Sequence, residues 1–204
     1  AIYDYKGNKA GSLYSQKGSF VEYDKISPNI TNAVISTEDR TFWKNPGFSV
    51  KGMARAGLSM VIHHGQITGG GSTITQQLAK NSLLTQQQTF SRKLEELFFA
   101  IEITHVYSKK DILTMYLNNG YFGNGVWGVQ DASRRYFGKN ANEVTLGEGA
   151  TLACMLRSPS YYNPIDHMAN ALQRRNTVLG LMAANGKITN GQAKAAQKHG
   201  LTLN

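Results

Sequence analysis

The chain has 204 residues, 41% of them apolar, enough for one domain or one domain with a small subdomain, and too apolar for disorder to be the default. Twenty-two Lys plus Arg against thirteen Asp plus Glu give a net charge of +9, a surface that attracts polyanions, whether nucleic acid, anionic lipid head groups or phosphorylated substrates. Cys154 is the sole cysteine, which excludes an intrachain disulfide, and no apolar stretch approaches the roughly 18 residues a membrane-spanning helix needs. A start on Ala rather than Met, with no signal-peptide pattern, reads as a processed form or excised domain whose anchor is missing.

Residues 1–26 read as a short extended lead-in: Ile2-Tyr3-Asp4-Tyr5 as strand, Lys6-Gly7-Asn8-Lys9 as turn, Ser12-Leu13-Tyr14-Ser15 as strand. From Ile30 onward the periodicity is helical almost throughout, so the body is expected to be mainly α. The first chemically suggestive stretch runs from Ser36 to Trp43, where Glu38 and Asp39 precede Phe42 and Trp43. A carboxylate near apolar surface makes a better general base, whereas the bland alternative is a solvated Glu-Asp-Arg cluster at a helix end. A helix from about Val50 to His64 follows, apolar enough to touch lipid, although most such helices are simply core.

Gly69-Gly70-Gly71 then opens a helix carrying Ser72, Thr73, Gln76, Gln77 and Lys80. Glycine lets backbone N–H groups turn toward a ligand and a helix N-terminus adds partial positive charge, so the segment suits an anion, such as a sugar esterified to pyrophosphate. Without the Gly-Lys-Ser/Thr ending of a nucleotide P-loop, ATP is discounted. Gln76, Gln77 and Lys80 are spaced to share one helix face. After a polar connector at Gln86-Gln87-Gln88, the helix beginning at Phe90 places Arg92 and Lys93 four and three residues before Glu96, with Leu94, Leu97, Phe98 and Ile101 expected as its buried stripe. An ordinary surface ion pair competes with a cationic site for a phosphate leaving group.

From Tyr116-Leu117-Asn118 to Lys139 the chain mixes glycines, asparagines and aromatic residues. Rings stack on apolar sugar faces and amides bond hydroxyls, so a saccharide contact and a tight helix connection with buried aromatics weigh about evenly. Thr145 and Glu148 have capping-box spacing ahead of the run from Ala150 to Leu156, in which Cys154 reads as an inert core thiol, and Asn185-Gly186 ends a helix from about Asp166. The five histidines show no metal-ligand spacing.

In this order, the segments resemble the five sequence blocks of the peptidoglycan glycosyltransferase family, glycosyltransferase family 51, found in class A penicillin-binding proteins and monofunctional transglycosylases. Glu38-Asp39 with Phe42, Gly47, Gly52, Arg55 and Ala56 matches the first block, Gly70 to Asn81 the second and Arg92-Lys93 with Glu96 the third. Lys109, Tyr116-Leu117-Asn118, Gly123, Gly125, Gly128 and Tyr136 to Lys139 match the fourth, and Glu148, Ala150, Pro159, Tyr162 and Pro164 the fifth. The departures are Asn45 for the usual His, Ser49 for the usual Asp, Thr114 for the common Glu, and Gln88 where some relatives carry a basic residue. Asn can hydrogen-bond but cannot titrate.

The resemblance implies a lysozyme-like helical domain over residues 27–204, with a smaller membrane-proximal jaw at roughly 48–100 and the β lead-in at 1–26. It implies polymerisation of lipid II into β-1,4-linked glycan with inversion and release of undecaprenyl pyrophosphate, at the extracytoplasmic face of the bacterial cytoplasmic membrane. Glu38 is the implied general base; Glu96, with Lys80, Arg92 and Lys93, stabilises the departing pyrophosphate. Asp39, Ser72, Thr73, Gln76, Gln77 and Asn118 complete the substrate-binding set. The resemblance assigns no required cofactor and leaves open a divalent cation (Mg2+ or Mn2+) at Glu96. The partners are lipid II, the growing strand and the membrane surface, not nucleic acid; a transpeptidase domain and an N-terminal anchor are expected outside this chain, which has no Ser-x-x-Lys sequence. Competing readings are a lysozyme-type hydrolase or lytic transglycosylase, which needs no pyrophosphate cradle, and a noncatalytic cationic lipid-binding module, which leaves the acids unexplained.

Overall fold

The computed structural model describes residues 2–3, 9–11, 17–62, 71–83 and 89–204. It divides the chain into two units, one of residues 1–15 and 41–116, the other of residues 16–40 and 117–204. The described residues are mainly helical, as the periodicity implies.

In the first unit, strand β1 (Ile2–Tyr3) pairs antiparallel with β2 (Lys9–Gly11), Ile2 opposite Gly11 and Tyr3 opposite Lys9. Lys9, expected in the turn, is thus a strand residue, and the expected second strand at Ser12–Ser15 lies outside the described residues, as do the turn at 6–8, the histidines at 63 and 64, the first two loop glycines and residues 84–88. Helix α2 (Val50–Ile62) starts on Ser49, whose hydroxyl accepts the Gly52 N–H at 3.2 Å. Serine therefore performs the capping an Asp would perform at this position. Helix α3 (Ile74–Ser82) packs on α4 (Phe90–Val106), which begins with the Thr89 hydroxyl accepting the Arg92 N–H.

The buried face of α4 differs from the sequence expectation. Glu96, Ala100 and Ile103 are buried, whereas Leu94 and Phe98 are exposed, Phe98 to 66%. Small Ala100 lets α4 approach the Gly47 backbone, so the helix turns its larger apolar side chains outward. Val50, Met53, Leu58, Val61 and Ile62 of α2 are likewise exposed, Val61 to 78%. No helix among the described residues is long and apolar enough to cross a membrane.

The boundary between the units falls within helix α5 (Lys109–Asn119), after Tyr116. In the second unit, α1 (Pro28–Glu38) follows Ser27, whose Oγ accepts the Asn29 N–H at 3.1 Å, with Pro28 at the first turn where its missing N–H costs nothing. Next come α6 (Val129–Phe137), α7 (Leu146–Arg157), α8 (Pro159–Tyr162), α9 (Met168–Ala184) and α10 (Asn190–Lys198). From Glu148 to Met155 every residue of α7 is buried, as befits a helix enclosed on all sides by its neighbours α1, α9, α6, α8 and α10. Leu152, with Ile30 and Ile35 from α1 and Leu179 from α9, fills this core; full burial of each such side chain contributes about 1.5–3 kcal/mol.

The Thr145/Glu148 capping box is present, and Asn185-Gly186 ends α9 as expected. Helix α9 begins at Met168 rather than Asp166, because Asn163 Oδ1 accepts the Asp166 N–H at 2.9 Å and holds that stretch in a turn. Arg175 is buried; its guanidinium donates to the Gln197 and His199 carbonyls and to Asn176, tying α9 to the negative end of α10. Burial lowers its pKa, opposed by the nearby Cys154.

Candidate active site

The N-terminus of α3 is built from side chains expected to hold the donor. Thr73 is the cap: its hydroxyl oxygen accepts the Gln76 N–H at 3.1 Å while its own N–H donates to Gln76 Oε1 at 2.9 Å, a reciprocal capping box. The Thr73 hydroxyl also donates to the Gly47 carbonyl at 2.8 Å. Thr73 and Gln76 are therefore buried and occupied in shaping the helix start. Gln76 does not share an open face with Gln77 and Lys80, as its spacing suggested; those two are partly exposed, and Gln77 Oε1 accepts the Tyr116 hydroxyl at 2.8 Å.

Ser72 joins α3 to α4. Lys93 Nζ donates to Ser72 Oγ at 2.8 Å and to Glu96 Oε2 at 3.1 Å, so ammonium, hydroxyl and carboxylate stand together beside the helix start. Glu96 is buried; the ammonium gives it the counter-charge a buried carboxylate needs. Arg92 was expected to share Glu96 as well, but its guanidinium pairs with Glu95 at 2.7 Å. Both arrangements satisfy helical spacing, and the counter-charge of Glu96 is already supplied by Lys93. Among the described residues no cluster of three or more His, Cys, Asp or Glu side chains gathers. A lone carboxylate already paired to an ammonium is a poor donor set for a divalent ion, which seeks several oxygen ligands.

Two other departures from the family pattern have local explanations. Asn45 Oδ1 accepts the Gly47 N–H at 3.0 Å and the Lys109 ammonium at 3.1 Å, and Lys109 stands 4.9 Å from the centre of the buried Phe42 ring. Thr114 turns its hydroxyl back to the Lys110 carbonyl, bonding within its own helix.

Glu38, Asp39 and Asn118 lie in the second unit. Glu38 closes α1 with its side chain 4% exposed and Asp39, the next residue, is buried, so the solvated-cluster alternative does not hold. A carboxylate at the negative end of a helix is unfavourable. Its counter-charge is Arg157, at the end of α7, with a guanidinium nitrogen 3.6 Å from Glu38 Oε2. Sequence reasoning missed Arg157; the available signal was a cation placed just before Ser158-Pro159, in the fifth block. Asn118 is nearly buried, and its carboxamide both accepts from and donates to the Val21 backbone at 2.9 Å, which makes it a mount for the incoming chain.

The glycine-aromatic segment forms the tight connection with buried aromatics and also leaves one ring exposed. Phe122 and Tyr136 are buried, with the Tyr136 hydroxyl donating to the Phe122 carbonyl at 2.7 Å, while Tyr121 is exposed and lies against Trp127, over which Lys17 is placed. Burial pushes the Tyr136 hydroxyl pKa up, which suits a donor that stays protonated.

A transglycosylase family model matches residues 6–183. The chain is 51% identical over 201 residues to penicillin-binding protein 2a of Streptococcus pneumoniae, covering 98% of this chain and 27% of that protein. It is 44% identical to penicillin-binding protein 1A of Aquifex aeolicus, covering 99% and 28%, and 37% identical to penicillin-binding protein 1A of Escherichia coli, covering 100% and 24%. Among solved structures it is similar to penicillin-binding protein 1A from Haemophilus influenzae, at 36% identity and a TM-score of 0.46 over 47% of this chain and 14% of that one. The chain belongs to the transglycosylase family and is a glycosyltransferase. It spans about a quarter of the length of these curated relatives.

Proposed function

We propose that this chain polymerises lipid II into β-1,4-linked glycan at the extracytoplasmic face of the bacterial cytoplasmic membrane. The observation that carries the reading is the Lys93 ammonium held between Ser72 and the buried Glu96 at the start of α3, an arrangement suited to an oxyanion rather than to an apolar or cationic ligand. In this reading the Glu38 carboxylate takes the proton of the acceptor 4-hydroxyl as its oxygen bonds to the donor's anomeric carbon. The bond from that carbon to the pyrophosphate oxygen breaks, its electron pair leaving with undecaprenyl pyrophosphate, and attack from the opposite face inverts the α-linked sugar to β. Lys93 and Ser72, beside the positive end of α3, receive the leaving group, with Lys80 and Arg92 adding positive charge. Glu96 holds Lys93 in place. Arg157, 3.6 Å from Glu38 Oε2, holds that carboxylate aligned for proton abstraction.

The exposed apolar side chains of α2 and α4 support contact with the membrane in which such a substrate is anchored. Conversion of purified lipid II to polymer tests the activity, and Glu38→Gln tests the base. The amide keeps the shape and cannot accept the proton, so a loss of roughly a thousandfold in kcat with near-normal substrate binding is expected. A near-normal rate for that variant would remove Glu38 from the mechanism.

A further inference from the structure

Lys109 takes no part in the chemistry set out above, yet its ammonium is anchored on the Asn45 carboxamide and over the Phe42 ring. Asn45 is buried, and the oxygen that accepts from Lys109 also accepts the Gly47 N–H, while its Nδ2 donates to Thr41 Oγ1 at 3.3 Å. Gly47 has a φ of +92°, and a Cβ there would run into Thr104 Oγ1 and the Ala100 carbonyl. Only glycine fits, and its peptide has no room to drift. The Gly47 carbonyl accepts the Thr73 hydroxyl, the same hydroxyl that caps α3. Further along the segment, the Gly52 backbone lies directly against that of Gly71. Segment 45–52 thus touches the loop 71–73 at both of its ends, and Ser72, between the two contacts, is the residue that meets Lys93.

We infer that Asn45 and Lys109 are positioning residues for donor binding: acting through Gly47 and Thr73, they fix the angle at which loop 71–73 presents its N–H groups and the Ser72 hydroxyl. The inference rests on the function proposed above, since it names what holds that same site. The amide suits the task because one oxygen takes two donors while the nitrogen supplies a third bond; a neutral imidazole, the family's usual group here, offers a single acceptor nitrogen. Asp supplies both acceptances but not the donation to Thr41, and Ala supplies none.

The test measures kcat and KM for lipid II in the full chain, together with amide hydrogen exchange at residues 72–77 without substrate, for Asn45→Ala, Lys109→Met, the double variant and Asn45→Asp. Each single loss is expected to raise KM roughly tenfold while kcat changes by less than about threefold. The double variant should be no worse than the poorer single one, because both act on one relay. Asn45→Asp should recover most of the loss, and the Thr73 and Gln76 amides should exchange faster in the Ala and Met variants. Additive effects, a fall confined to kcat, or unchanged exchange at those two amides in both single variants would overturn the relay. If Asn45→Ala fails to fold, Lys109→Met decides from the other side. Should the unaltered chain form no polymer, the proposed function falls, and the exchange measurement alone still decides whether Asn45 and Lys109 hold the loop.

Discussion

At the scale of single residues, the acids were legible, as was Lys93, the helical neighbour that pairs with Glu96, but the distant partner of Glu38 was not. Glu38 stood out in the sequence because it preceded aromatic residues, whereas Arg157 lies more than a hundred positions away, with no helical or strand period linking it to Glu38. The same holds for Lys109 and Asn45, whose contact depends on the path of the chain between them. Cys154 was legible from its apolar neighbours: it is fully buried, and desolvation pushes its thiol up to about 12 from an ordinary 9.0. Between those pH values the unfolded chain loses this proton while the folded chain keeps it, so unfolding becomes easier as pH rises. This contribution to stability is complete below pH 9 and lost as pH approaches 12. Cys154→Ala should flatten that part of the alkaline limb in melting curves recorded from pH 8 to 11, and in the unaltered protein the thiol should react with a thiol reagent only as fast as the protein opens.

Helices were easier to find than to orient. The caps at Thr73 and Thr145 follow from short-range chemistry, and both capping boxes form. Thr73→Ala removes the cap together with the bond to Gly47, an expected cost of about 1–3 kcal/mol in denaturant unfolding; Thr73→Ser, which keeps the hydroxyl, should restore most of it. The buried face of α4 was misread because periodicity reports which residues are apolar, not which side of the helix finds a neighbour. Glu96, Ala100 and Ile103 face inward on the side where the Ala100 carbonyl and Thr104 lie against the Gly47 backbone, and Phe90, Leu94 and Phe98 are left outside. Gln76 was placed on an open face for a similar reason: spacing locates a side chain around the axis but cannot tell that the capping box has already claimed it.

For the molecule as a whole, composition predicted attraction to anions, and the structure adds exposed apolar side chains on α2 and α4. A protein carrying both should bind vesicles of anionic lipid, losing the electrostatic part of its affinity as salt rises. Val61→Asp and Phe98→Asp are each expected to weaken co-sedimentation with phosphatidylglycerol vesicles by roughly tenfold at moderate salt, with little change in melting temperature, because neither side chain is part of the core. Binding that survives both changes together would exclude these helices as the lipid contact.

The crossing of Gly52 and Gly71 also limits how this protein can evolve. A methyl group on either residue would overlap the carbonyl of the other, so neither position can be the first to change, and a second substitution cannot repair the damage from the opposite side. The two positions form a mutational lock: descendants can diverge freely around them, but a lineage that loses one of these glycines must rebuild the backbone path of both segments to survive the loss.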